Sequence, residues 1–192
     1  MIITITGNHG SGKSTVAKML ASILNYERIY AGGIFRAMSK DANYNPKNLP
    51  FEDWYASLAD DPKIDLQVDQ MIADAAKERD NLILEGKVAF MASSHGKKKL
   101  NIFIAVDKNE GARRIFEQKL KNASERGEEK IYHHINQAIN EIEQRLNVEK
   151  ERYISLYGID ITDMNHYQFF INSTNLTPEQ VVEKILETIK TA

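Results

Sequence analysis

The sequence predicts an α/β chain wound around a parallel sheet, and three observations carry that prediction. Five short apolar runs, Ile2–Thr6, Arg28–Tyr30, Asn81–Leu84, Leu100–Val106 and Phe169–Ile171, are separated by stretches of helical periodicity. The runs are continuous in hydrophobicity, as strands covered on both faces should be. Between the first run and the first helical stretch lies Gly7-Asn8-His9-Gly10-Ser11-Gly12-Lys13-Ser14, which satisfies G-x-x-x-x-G-K-[ST] at every position.

The elements follow in order. After the first strand, Val16, Met19, Leu20 and Ile23 repeat at i, i+3, i+4 and i+7. Before the third, Ile64, Val68, Met71, Ile72 and Ala75 do the same. Ile131, Ile135, Ile142 and Leu146 are expected to form the core stripe of a late helix. Thr177-Pro178-Glu179-Gln180 is a capping box with Pro at the first helical position, and Val181, Val182, Ile185, Leu186 and Ile189 mark the buried face beyond it. Two stretches fit this core poorly. Ala37–Pro62 carries three of the four prolines and the only Trp, and Gln118–Lys130 is polar and charged. Both lie past strand carboxyl ends, where open α/β sheets bind ligands. They are expected to be flaps over a site, at about 37–62 and 117–140, within one domain spanning 1–192.

At 192 residues the chain matches one domain on a prior of roughly 150 residues each. Lys plus Arg is 25 against 27 acids, a net charge of -2 that argues against a coat for nucleic acid or membrane. With no Cys, disulfides, thiolate nucleophiles and zinc ribbons are excluded. The apolar run of Met1–Thr6 stops at Gly7, too short for a signal peptide, and no run reaches the length of a membrane span. A cytoplasmic monomer is expected, with small-molecule partners and neither nucleic acid nor membrane among them.

The Gly-rich motif has a physical reading at each position. Gly7, Gly10 and Gly12 let successive N–H groups of Asn8, His9, Ser11 and their neighbours turn inward, a nest for a polyphosphate. The following helix, opening through Ser14 and Thr15, aims its positive end at the same place. Lys13 adds a full charge against the β and γ phosphates, and the Ser14 hydroxyl can ligate Mg²⁺. His9 is expected to serve through its backbone. The motif in this context makes the chain a three-layer P-loop NTPase fold binding a nucleoside triphosphate.

P-loops serve kinases, GTPases and motors alike. No N-K-x-D segment is present to read guanine, and the third strand ends Leu84-Glu85-Gly86-Lys87, not in the Asp-Glu of a motor. Arginines point to phosphoryl transfer. Arg36 follows the second strand, Arg114 follows the fourth, and Arg145 and Arg152 lie two turns apart on one helical face. Cations so placed stabilise the several charges that meet when a phosphoryl group is transferred.

The chain resembles nucleoside monophosphate kinases, and among them the compact archaeal-type branch of the cytidylate kinases. The P-loop, Ala31-Gly32-Gly33-Ile34-Phe35-Arg36, Ile64-Asp65-Leu66-Gln67-Val68-Asp69, Leu82–Lys87, Arg152–Asp160 and Asn172–Val182 carry the resemblance. It implies five parallel strands with acceptor and lid flaps, ATP and Mg²⁺ as the donor system, and CMP or dCMP as acceptor. Lys13, Arg114, Arg145 and Arg152 would surround the transferring group, and Ser173 and Thr174 would lie near adenine. Gly32, Arg36, Asp65, Asp69, Glu85, Gly86 and Lys87 would form the acceptor site, with Glu85 also holding a Mg²⁺-bound water. Asp65 and Asp69, four apart on one face, address the acceptor's base or sugar in one reading and the helix dipole in another. Two departures stand out. Lys87 replaces an Arg common in relatives, losing the forked donor geometry. Gln118 stands where a second lid Arg is frequent, and Lys119, Lys121 or Arg126 could substitute.

The activity expected is ATP-dependent phosphorylation of CMP or dCMP. The alternatives are a kinase for another nucleoside monophosphate or a small alcohol, and a nucleotide-binding regulatory module. Phe51 and Trp54 are expected to pack the acceptor flap. Lys97-Lys98-Lys99 reads as a solvated turn, and adjacent His133 and His134 point too far apart to ligate together.

Overall fold

A computed structural model describes residues 1–58, 62–126 and 134–191, with the backbone alone at 121–126. Five parallel strands, β1 (Ile2–Gly7), β2 (Glu27–Tyr30), β3 (Leu82–Glu85), β4 (Lys99–Ala105) and β5 (Phe169–Asn172), pair in the order β2-β3-β1-β4-β5. Seven α-helices are described: α1 (Lys13–Leu24), α2 (Ala31–Met38), α3 (Phe51–Ser57), α4 (Lys63–Glu78), α5 (Lys108–Arg126), α6 (Ile135–Tyr157) and α7 (Pro178–Thr191). No described helix is long and apolar enough to cross a membrane.

The three layers follow from strand periodicity. Successive side chains point to opposite faces. Ile2, Leu82 and Leu84 join one core with α2, α3 and α4, while Ile3, Ile5, Ile83, Ile102 and Ile104 join the other with α1 and α7. Both faces are covered, so the strands read as unbroken apolar runs. The strands the sequence predicts are all present, with ends shifted by a residue at most. On the α4 side Trp54 is 3% exposed and donates its indole N–H to the Tyr44 carbonyl at 2.9 Å, so it packs the 37–62 stretch against the core.

Three expectations are corrected. Ile23 and Met71 are 57% and 46% exposed, because each falls at the margin of an arc that its helix buries through Val16, Ala17 and Leu20, or through Val68, Ile72 and Ala76. On α6, Ile135 is exposed, Ile142 and Leu146 are half-buried, and Ile131 lies outside the described residues. The buried positions of α6 are instead Ala138, Glu149, Arg152 and Tyr153, since this face borders a polar cavity and not the sheet core. Nor are Lys97 and Lys99 solvated. Lys97 Nζ donates to the Ala76, Lys77 and Arg79 carbonyls at the end of α4, and Lys99 Nζ to those of Phe90 and Ala92.

The first part of the expected lid, up to Arg126, continues α5 as helix, and its far part from His134 opens α6; 127–133, with His133, lie outside the described residues. Small residues on the two helices, Ala112 and Ala138, let them pack together beside Ile115, Phe116 and Ile142.

Candidate active site

Strand β1 ends at Gly7, and the chain turns through the P-loop into α1. Gly10 and Gly12 hold φ of +76° and +81°, the left-handed region that favours glycine. At Gly10 a side chain is also excluded by space, for a Cβ there would stand 2.2 Å from the Gly111 carbonyl oxygen of α5. Lys13 folds back over this loop and donates to the Asn8 carbonyl at 3.1 Å. Burial, reinforced by the neighbouring Lys87 charge, lowers the Lys13 pKa to about 8. Thr15 is exposed on the first turn of α1.

Ser14 Oγ donates to one carboxylate oxygen of Glu85, which ends β3 fully buried. The other oxygen accepts from Arg28 Nε and Nη2 at 2.9 and 2.5 Å. Parallel pairing explains the meeting: β1 and β2 flank β3, so both deliver side chains to its carboxyl end.

A cavity of about 240 Å³ opens in front of these groups. The P-loop contributes Lys13, Ser14 and His9, the α2 turn Gly32 and Arg36, and the end of β3 Glu85, Gly86 and Lys87. Arg36 Nη1 donates to the Tyr30 hydroxyl and the Gly32 carbonyl, both at 3.3 Å, and its guanidinium lies 4.7 Å over Phe51. Phe51 stacks on Tyr55 with ring centres 5.7 Å apart. Tyr55 in turn lies between two cations, Arg145 at 5.4 Å and Arg152 at 4.8 Å. Gln118 and Lys119 line the cavity from α5. On its wall Glu149 meets Lys87 Nζ at 2.9 Å, His9 Nε2 at 3.1 Å and Arg145 Nε at 3.1 Å.

Other expected site residues lie behind these walls. Arg152 is paired with buried Asp65, and Asp69 accepts from the Tyr157 hydroxyl at 2.5 Å, so α4 is tied to α6. Burial raises both Asp pKa values, Asp69 to about 6. Arg114 donates through Nη2 to the Ser173 and Thr174 carbonyls at 2.9 and 3.0 Å, and through Nε to Glu110. Ser173 Oγ contacts the Ser11 carbonyl at 3.0 Å, which brings the loop after β5 against the P-loop. Arg114, Arg152, Asp65 and Asp69 are thus not among the side chains lining the cavity.

A family profile described as "Cytidylate kinase-like family" matches residues 2–175. The chain belongs to that family. A cytidylate kinase of Haloarcula marismortui is 32% identical over 191 residues, 99% of this chain and 90% of that protein. A cytidylate kinase of Sulfolobus acidocaldarius is 34% identical over 98% of this chain and 94% of its own length. Among solved structures, an uncharacterized protein from Eubacterium ventriosum aligns with a TM-score of 0.70 at 20% identity, over 100% of this chain and 99% of that one. Shikimate kinase from Bacteroides thetaiotaomicron aligns at 0.58 and 17% identity, over 99% and 98%. These two likenesses show the shared three-layer fold.

Several residues at the site carry no functional signal in the sequence: Tyr55 and Glu52 line the cavity from the 37–62 stretch, and Arg28, within a strand, holds Glu85 from behind it. His9 uses its side chain, not just its backbone, correcting the expectation for that position. Glu149 carried a faint signal, standing four residues after Arg145 and three before Arg152.

Proposed function

We infer that this chain transfers the γ-phosphoryl group of ATP to the phosphate of CMP or dCMP, giving ADP and CDP or dCDP. The observation that carries this reading is the placement of Lys13 of the P-loop and Arg36 of α2 on one cavity, with Lys87 and Arg145 on its wall. A donor triphosphate on residues 7–15 and an acceptor phosphate on Arg36 would therefore share one positively lined space. Gly32 at the α2 turn and Gly86 at the end of β3 would border the acceptor. Ser173 and Thr174, pinned by Arg114, form the edge toward the donor's base. Arg152, Asp65 and Asp69 support the acceptor side, Arg152 adding its charge through the Tyr55 ring.

Membership of the family implies ATP and Mg²⁺. The Ser14 hydroxyl and the Glu85 carboxylate are adjacent hard oxygen donors and fit that ion, Ser14 directly and Glu85 through water. Bound there, Mg²⁺ would neutralise charge on the β and γ phosphates.

The chemistry needs no general base. A nucleotide monophosphate loses its second proton near pH ~6. One of its phosphate oxygens can therefore attack the γ phosphorus directly, while the bond to the β–γ bridging oxygen breaks and its electrons leave on ADP. The protein's share is alignment, charge neutralisation and exclusion of water. Hydroxyl acceptors, by contrast, would call for a carboxylate base beside the attacking oxygen. Asp65, a carboxylate near this region, is engaged with Arg152 and does not line the cavity.

A coupled assay of ADP release with CMP, dCMP, UMP, AMP, GMP and shikimate tests the reading. Preference for CMP or dCMP is expected, with Lys13→Ala abolishing turnover and Arg36→Ala raising the acceptor KM at least about tenfold. Preference for an alcohol, or no turnover with any acceptor, overturns it.

A further inference from the structure

The inside of a phosphate cavity is an unexpected place for a buried carboxylate, because an anion there competes with the ligand for the same cations. Glu149 is 1% exposed and is held from three separate parts of the chain. Lys87 comes from the end of β3, His9 from the P-loop, and Arg145 from one turn earlier on α6. Burial by itself would favour the protonated acid, but the Lys87 charge, the His9 hydrogen bond and the Arg145 charge hold the carboxyl well below the usual range. The His9 ring stays neutral, its pKa pushed down to about 3 by burial and by Lys87, so Nε2 serves as a donor to Glu149. Tyr55 and Tyr153 also face this group, and burial raises both, so neither adds a charge.

The way each cation is held matters. Arg145 meets Glu149 through Nε, while Nη1 is only loosely occupied by Glu52 at 3.5 Å. The guanidinium is therefore oriented from behind and keeps its terminal fork available for a phosphate. Lys87 is different: its one ammonium is spent on Glu149, with the Gly7 carbonyl a distant second acceptor at 3.5 Å.

Resting on the phosphoryl-transfer reading above, we propose that Glu149 is a positioning residue standing in for substrate phosphate. It gathers Lys87, Arg145 and the P-loop around the cavity. When the phosphates arrive, it gives up Lys87 to them and keeps Arg145 by Nε. The alignment of the two cations at the junction of donor and acceptor is then set before binding, at the cost of weaker ground-state binding.

The test is a split between kcat and KM. Glu149→Gln keeps the shape, removes the competing charge and loosens the alignment. It is expected to lower kcat about tenfold or more while KM for both nucleotides stays level or falls. Glu149→Asp keeps the charge with a shorter reach, and its kcat is expected between those of wild type and Gln. A Gln variant with kcat within twofold of wild type, or with KM raised as kcat falls, overturns the proposal. So does an Asp variant indistinguishable from either wild type or Gln. If the Gln protein does not fold, the Asp variant alone decides, a threefold or greater loss of kcat at level KM being the supporting result. The comparison uses whichever acceptor the wild type phosphorylates. A wild type that prefers another acceptor therefore overturns the proposed function and leaves this comparison standing.

Discussion

Arg28 grips one oxygen of Glu85 with both Nε and Nη2 from the adjoining strand, while Ser14 occupies the other. The guanidinium thus balances a fully buried carboxylate at the mouth of the phosphate cradle, and its carbon lies 4.7 Å over the Tyr30 ring. Removing one partner of such a pair strands the other charge away from water. Arg28→Met should lower the unfolding free energy by about 3 kcal/mol, read from urea denaturation. Arg28→Lys, which keeps the charge without the fork, should lose less. Equal stability of the Met variant and wild type would refute the pairing.

The two left-handed glycines of the P-loop make different predictions. Gly12→Ala meets open space, so its cost is the backbone strain alone, about 1 kcal/mol. Gly10→Ala adds a collision with the α5 backbone at Gly111, which cannot be relieved by turning a side chain. It should be the more destabilising of the two and should weaken ATP binding by at least about tenfold. Melting curves and nucleotide titration of both variants would rank them.

The pKa of Asp69 is pushed by burial up to about 6, and the folded protein therefore holds a proton that the unfolded chain has released between about pH 4 and 6. The corresponding stability is fully present below the ordinary carboxylate pKa and is lost as the pH rises through about 6. Asp69→Asn keeps an acceptor for Tyr157 and removes the titration. Relative to wild type, the variant should gain about 1 kcal/mol between pH 4 and 7, measured by denaturation across that range. A pH-independent difference would show that Asp69 titrates normally.

Trp54 is the only tryptophan, and it is buried in the acceptor flap against the α4 core. Trp54→Ala should cost about 3–5 kcal/mol, and Trp54→Phe less. Because α3 also carries Phe51 beneath Arg36, the Phe variant should raise the acceptor KM more than the ATP KM. Equal changes in the two constants would separate the flap from acceptor binding.

Much of this molecule is legible locally. The alternation of apolar runs and amphipathic stretches predicts all five strands, since a buried parallel strand needs nothing beyond its own residues to be recognised. The phosphate cradle is equally local, its eight residues contiguous and its glycines demanded by backbone geometry. The α6 stripe failed for the opposite reason. Periodicity shows which residues share a face, not whether that face meets a hydrophobic core or a polar cavity. Lys97 is misread likewise, because the C-terminus of α4, some twenty residues back in the chain, has to be brought beside it, and Lys99 because the chain folds the Phe90 and Ala92 carbonyls over its ammonium.

By itself the sequence determined the sheet and the cradle with Lys13, and it singled out Arg36 and Arg145, which line the cavity, together with Arg152, which does not. Only the tertiary structure decided how these charges are balanced. His9 and Glu149 are 140 residues apart, Arg28 and Glu85 are 57 apart, and Asp65 and Arg152 are 87 apart. A carboxylate on a helix looks the same in sequence whether it faces solvent or a ring of cations. The difference arises when folding removes water, lowers the local dielectric and makes the choice of partner a matter of geometry.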